Sequence, residues 1–199
     1  MKIVIVKYSS GNVQSVLFSL KNLGYNAIIS DELDIIKNSD KVIIPGVGEA
    51  RSAMEYFHKT GLGELIVRLT QPVLGICLGM QLLCKFSEEN NTPCLGVFDI
   101  PVKKFRPPYS SNTFKVPHIG WNNLFNLQGK LFNGIHNEVV YQYFVHSYYV
   151  PFGSQTIATI DYITPCSAAL QKENFYGVQF HPEKSGMDGK KMIKNFLNL

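Results

Sequence analysis

Residues 72–83 read Pro-Val-Leu-Gly-Ile-Cys-Leu-Gly-Met-Gln-Leu-Leu. An apolar run passes through Gly75, Cys77 and Gly79 at alternate positions, and the apolar pattern resumes at Leu82 and Leu83. A strand that turns abruptly into a helix has this form. The turn is sharp and strained, so the residues two places either side of the cysteine must be small. It projects the sulfur from the end of the strand and sets it at the start of the helix. There the helix dipole and free N–H groups favour a thiolate. The N–H of Leu78 would point to where an oxyanion forms. Taken alone, the pattern fits a buried cysteine at a tight junction equally well.

The segments before it place this turn in a parallel sheet. "KIVIVKY" at residues 2–8 is a β-rich run, broken by "SSGN". Val13, Val16, Leu17, Leu20 and Leu23 then recur at helical spacing, and Gly24 is a helix stop. "YNAIIS" and "KVIIPGVGEA" are a second and third strand, helical segments extend to about Thr70, and "PVLGI" is a fourth strand. The last of these runs is continuously apolar, as in a strand covered on both faces. Strands alternating with helices predict a doubly wound α/β sheet. After about Glu88 the pattern changes. "CLGVF", "VVYQYFVHSYYV", "QTIATI", "CSAAL" and "FYGVQF" are short strand candidates that predict an antiparallel or mixed portion on the same core. Glu88 to Pro93 reads as a loop. The last helix carries Met192, Ile193, Phe196 and Leu197 on one face. No repeat or linker divides the chain, and one domain over 1–199 is expected.

A thiolate used in acyl transfer needs a base, and the base needs an orienting group. Of His58, His118, His136, His146 and His181, only the last has a suggestive setting: "YGVQFHPE" brings His181 to a strand end, followed by Pro182 and Glu183. Proline restricts the backbone and Glu183 can fix the imidazole tautomer. "PGVG", Pro45 to Gly48, also follows a strand and would reach the same sheet edge, where α/β proteins bind ligands. In isolation "HPE" fits an exposed turn and "PGVG" a plain strand–helix loop.

Composition narrows the class. With 45% hydrophobic and 17% charged residues the chain is an ordinary globular one. The net charge of +4 is scattered, with only pairs at Lys103-Lys104 and Lys190-Lys191, so no nucleic-acid partner is expected. No apolar run approaches a membrane span, and the four-residue apolar core of the N-terminus is too short for a signal peptide; a cytoplasmic protein is expected. Cys77, Cys84, Cys94 and Cys166 form no CxxC pair, so neither zinc nor disulfides are expected. Cys84, two helical turns past Cys77, reads as a small buried side chain.

"GICLGMQ", "PGVG" and "FHPE", in this order and at these separations, resemble the triad-type (class I) glutamine amidotransferases over nearly the whole chain. Met80 stands where relatives feeding anthranilate or carbamoyl phosphate synthesis usually have His. Leu78 stands where protease-like and chaperone-like relatives have His, and guanylate-forming ones often have Tyr. "KVPHIGWN", residues 115–122, resembles the segment by which the glutaminase subunits of imidazole glycerol phosphate synthases meet their partner, and "YSSGNVQSV" resembles their opening turn and helix. Lys7-Tyr8-Ser9 departs from the Asp-Tyr-Gly usual in those relatives.

The resemblance implies a flavodoxin-like, mostly parallel sheet flanked by helices, with no cofactor or metal. It implies Cys77 as nucleophile, His181 as base and acid, and Glu183 as its orienting partner. It implies oxyanion donors in the backbone of Leu78 and around Val47 and Gly48. Gly46, Gln81, His146, Ser147 and Tyr148 would hold glutamine, and Pro117 and Trp121 would lie at the junction with a (β/α)8-barrel cyclase subunit. A flip in "PGVG" is the expected switch, its two glycines permitting it. Three rival readings share some or all of these motifs. They are an ammonia supplier to another acceptor such as a sugar nucleotide, a non-catalytic partner that keeps the fold, and a stand-alone cysteine hydrolase of γ-glutamyl compounds.

Overall fold

The computed structural model describes residues 1–8, 12–108, 114–135 and 138–199. Ser9, Gly11 and His136, which figure in the sequence reading, lie outside them. The first half is a run of β–α units. β1 (Ile3–Val6) leads to α1 (Val13–Asn22), and β2 (Ala27–Ser30) to α2 (Leu33–Lys37). β3 (Lys41–Ile44) leads to α3 (Ala50–Thr60) and α4 (Leu62–Ile66), and β4 (Val73–Ile76) to α5 (Leu78–Leu83). Every residue of β1, β3 and β4 is buried, which is why these strands read as unbroken apolar runs. In α1, Asn12 Oδ1 accepts from the Ser15 N–H and hydroxyl, and Gly24 turns the chain at φ +85° after the helix.

The second half adds β5 (Cys84–Ser87), β6 (Thr92–Pro93), β7 (Phe98–Lys104), β8 (His118–Asn123) and β9 (Tyr141–His146). β10 (Tyr148–Pro151), β11 (Thr156–Tyr162), β12 (Thr164–Lys172), β13 (Phe175–Val178) and α6 (Gly186–Leu197) complete it. The main sheet runs β2-β1-β3-β4-β13-β12-β10-β7-β5-β6, with β11 paired to β12. β13 returns to lie parallel against β4, and β12 runs antiparallel to β13. β8 and β9 form a separate antiparallel ribbon. This is the expected mostly parallel α/β sheet with a mixed portion.

The core lies on both faces of the sheet. One side joins Ile3, Ile5 and Ile76 to α1 and to Met192, Ile193, Phe196 and Leu197 of α6. The other joins Val4, Val6 and Ile44 to Phe57 and Leu62. Each large side chain so buried contributes on the order of 2 kcal/mol.

Four boundaries differ from the sequence reading. "CLGVF" is a turn until Phe98, because Gly96 adopts φ +71° and its N–H bonds back to the Cys84 carbonyl; the strand runs on to Lys104. "VVYQYFVHSYYV" is two strands: β9 pairs within the ribbon, β10 within the main sheet, and Ser147 divides them. Glu88 to Pro93 contains a 3-10 turn at Glu89–Asn91 and the short β6, with Asn90 and Asn91 at positive φ. Cys84 is fully buried, but it opens β5 rather than continuing a helix.

Candidate active site

β4 and β13 are neighbours in parallel register, with Ile76 opposite Val178. Cys77 leaves the first and His181 follows the second by three residues, so both emerge at one sheet edge. Cys77 takes φ +54° and ψ −108°, a conformation that costs a side-chain-bearing residue on the order of 1–3 kcal/mol. The surroundings hold it there. Its N–H donates to the Val178 carbonyl at 2.7 Å, and its carbonyl accepts from the Gln81 N–H at 3.3 Å.

The flanking glycines are steric necessities. A Cβ on Gly75 would stand 2.6 Å from the Gly79 carbonyl carbon, and one on Gly79 would stand 2.0 Å from the Ile44 carbonyl oxygen. Gly46 is pressed against the same turn: its Cβ would meet the Leu78 Cβ at 2.5 Å. Tyr8 fixes the start of this loop by donating its hydroxyl to the Pro45 carbonyl. Burial, and then the charge of Cys77, push the Tyr8 hydroxyl far above its usual range, so it remains a donor. Gly48 adopts φ +104°, a region left to glycine.

His181 Nδ1 lies 2.8 Å from Glu183 Oε1, and both side chains are almost wholly buried. With Nδ1–H donating to the carboxylate, Nε2 is left for Cys77, to which His181 is hydrogen-bonded. Burial disfavours the imidazolium. The bonds to Cys77 and Glu183, and their charges, outweigh it and push His181 up to about 10. The backbone that carries the ring is anchored, because the His181 N–H donates to the Tyr143 carbonyl and its own carbonyl accepts from Ser185 Oγ at 2.6 Å. The Cys77 thiol donates to the Val145 carbonyl at 3.6 Å, and Gln179 Nε2 donates to Sγ at 3.7 Å.

A cavity of about 320 Å³ opens over the sulfur. Val47, Gly48, Leu78, Gln81, Pro117, His146, Ser147 and Tyr148 line it together with Cys77 and His181. Gly46 packs beneath rather than lining it, and Glu183 stands behind His181. Trp121 lies outside, edge-on to Tyr143. On the outer face of the ribbon Ile119 is opposite Val145 and Trp121 opposite Tyr143. Ile119, Trp121 and Tyr141 are each more than half exposed, so an apolar strip borders the cavity mouth.

His146 has no free ring nitrogen. Its Nδ1–H donates to the Tyr148 carbonyl at 2.7 Å, so Nε2 accepts from His118 Nδ1–H at 3.1 Å. The His118 ring is stacked on Tyr162, with centroids 3.8 Å apart. Burial pushes His146 down to about 3 and His118 to about 4, so both are neutral. The turn therefore offers the cavity Ser147, Tyr148 and backbone, not the His146 ring.

Sequence reasoning missed Glu89, Val145 and Lys184, which also line the cavity. Glu89 Oε2 accepts from the Ala50 N–H at the start of α3 at 2.7 Å. Lys184 directly follows "HPE", the one signal that pointed to it.

A cysteine on a strained strand–helix turn, an imidazole from the next parallel strand and a buried carboxylate behind it can attack an acyl carbon and protonate a leaving amine. The chain belongs to the class-I glutamine amidotransferase family, whose sequence model matches residues 4–199. Its relatives carry a narrower name. The imidazole glycerol phosphate synthase subunit HisH of Bacteroides fragilis (strain YCH46) is 53% identical over 199 residues, covering 100% of both chains. The subunit of the same name from Blochmanniella floridana is 47% identical over 201 residues, again covering 100% of both. The fold is shared with a crystal structure of a glutamine amidotransferase, at TM-score 0.74 and 18% identity, covering 98% of this chain and 97% of that one. It is also shared with PurLQS from Thermotoga maritima, at TM-score 0.66 and 19% identity, covering 99% and 97%.

Proposed function

We propose that the chain is the glutaminase subunit of an imidazole glycerol phosphate synthase. In this reading residues 1–199 act as one amidotransferase domain in the cytoplasm. The observation that carries the reading is the Cys77–His181–Glu183 line at one sheet edge, in a chain whose full-length relatives bear that name. No helix among the described residues is long and apolar enough to cross a membrane.

The Cys77 thiolate attacks the side-chain amide carbon of glutamine. The tetrahedral oxyanion accepts from the Leu78 N–H and, once the "PGVG" loop turns it inward, from the Val47 N–H. His181 gives its Nε2 proton to the departing ammonia. It then takes a proton from water, which cleaves the glutamyl thioester to glutamate and restores the thiolate. Glu183 keeps the imidazole oriented throughout. Glu89 brings a carboxylate to the cavity, the complement of the α-ammonium of glutamine, and Gln81, Ser147 and Tyr148 line the same cavity.

The ammonia passes to a (β/α)8-barrel cyclase subunit without entering bulk water, and there enters imidazole glycerol phosphate with release of the aminoimidazole carboxamide ribotide. The exposed strip of Ile119, Trp121 and Tyr141 beside Pro117 is the surface this reading assigns to that partner. A glutamine analogue carrying an electrophilic diazoketone tests the site. It is expected to label Cys77 once per chain and leave Cys84, Cys94 and Cys166 unlabelled. Labelling elsewhere, or none in the presence of the partner, overturns the assignment.

A further inference from the structure

We propose that Gln179 is a positioning residue that ties the Cys77 sulfur to the Gln81 side chain; the proposal rests on the reading of Cys77 as nucleophile. Gln179 follows β13, between the fully buried Val178 and Phe180, and is itself 0% exposed. An apolar side chain of similar length would fill that space with no need of partners. Instead the carboxamide spends both ends on residues of the site. Its Nε2 donates to Cys77 Sγ at 3.7 Å and its Oε1 accepts from Gln81 Nε2 at 2.9 Å.

The direction of this chain is forced. The Tyr148 carbonyl can only accept, and it accepts from Gln81 Nε2 at 3.1 Å. The second hydrogen of that amide therefore faces Gln179, whose oxygen must turn toward it, so the Gln179 amide nitrogen faces the sulfur. A backbone carbonyl of β10 thus sets the group presented to the nucleophile two side chains away. The Gln179 backbone is fixed as well, its N–H donating to the Ala168 carbonyl of β12 at 2.8 Å.

A donor held on sulfur restrains the Sγ direction that attack requires. Gln81, which lines the cavity, is held against Tyr148 by the same link, so nucleophile and substrate wall move together. The other ionisable groups around the sulfur are His181, with Glu183 behind it, and Tyr8; Glu89, His146, Tyr148 and Lys184 line the same cavity.

The test uses the full chain and reads the sulfur directly. The rate of Cys77 alkylation by iodoacetamide at one fixed pH is followed by peptide mass spectrometry, and kcat and KM for glutamine are measured with the cyclase partner present. In Gln179→Met the alkylation rate is expected to fall roughly fivefold, the scale of one lost hydrogen bond. The kcat is expected to fall roughly tenfold. Gln81→Met is expected to raise KM and, because it frees the Gln179 amide to turn, to slow alkylation as well. Combining the two should raise KM no further than Gln81→Met alone, because the same link is broken in each.

A folded Gln179→Met protein with an unchanged alkylation rate and kcat overturns the proposal. Should that variant fail to fold, Gln179→Glu keeps the shape and places an acceptor on the sulfur; its alkylation is expected to slow further, and an unchanged rate is equally fatal. Cys77→Ala separates the two levels: glutamate release surviving that change sinks the nucleophile reading, whereas the alkylation rate judges Gln179 independently.

Discussion

Gly79 lies so close to Ile44 that an added Cβ would stand 2.0 Å from the Ile44 carbonyl oxygen. Backbone of β3 and the first turn of α5 thus share a space only a hydrogen can occupy, and this contact sets the helix that carries the Leu78 N–H. Gly79→Ala is expected to cost about 4 kcal/mol or more, because both clashing groups are backbone and neither can swing away. Urea titration checks it. A variant within 1 kcal/mol or so of the parent would mean that the turn relaxes freely.

His181, held between Cys77 and Glu183, predicts a pH-dependent stability. The folded imidazole keeps its proton up to about 10, whereas an unfolded histidine releases it near 6.5. The native state therefore binds the extra proton between those values. The stabilisation is complete below about 6.5 and is lost as pH rises through about 10. Urea midpoints across this range should decline, and Glu183→Gln should flatten the decline. In turnover, Glu183→Ala should cost less than His181→Ala, since it orients the base without carrying the proton. Equal losses would move Glu183 into the proton path.

His146 and His118 predict the opposite trend in acid. Both are held neutral, down to about 3 and about 4, while unfolded histidines charge near 6.5. Their contribution is present above about 6.5 and is lost as pH falls through those lower values. His118→Phe keeps a ring for the Tyr162 stack but removes one of the two groups. Its acid decline should be shallower. Its stability near pH 8 should be lower by about 1–2 kcal/mol, because His146 Nε2 loses its donor. An acid profile parallel to that of the parent would mean His118 does not report the buried pair.

Trp121→Ala is expected to cost about 1 kcal/mol or less in stability, since the ring is 56% exposed and touches Tyr143 only edge-on. Binding to the cyclase, or the transfer of ammonia to it, should fall roughly tenfold or more. Titration of the partner together with a thermal melt distinguishes the two. Unfolding with intact coupling would return the tryptophan to the core.

What could be read in the chain alone follows from how each residue reaches its place. The turn at Cys77 was legible because its steric demand falls on near neighbours, Gly75 and Gly79. β1, β3 and β4 were legible because burial on both faces leaves continuous apolar runs. α2 was not, since its five residues bury Ile36 alone and leave no period to detect. His118 reaches His146 through strand pairing across 28 residues, and no local pattern encodes that. Glu89 sits in a polar stretch whose turn is made by two asparagines at positive φ, and reads as loop. Gln179 is a polar residue beside an apolar strand. Only the fold reveals that its partners are Cys77 and Gln81.

Cys77→Ala should abolish the use of glutamine and spare synthesis by the complex from added ammonium, because the cyclase chemistry needs ammonia and not the sulfur. Assaying the same complex with each nitrogen source checks this. Loss of both activities would give Cys77 a role in assembly.

The central claim is that this chain hydrolyses glutamine for a bound cyclase. Glutamate release from glutamine, measured with and without the cyclase subunit from the same source and its nucleotide substrate, tests it most directly. A large rise on adding both is the predicted result. No rise, with the protein folded and Cys77 reduced, would contradict it and assign the ammonia to another acceptor.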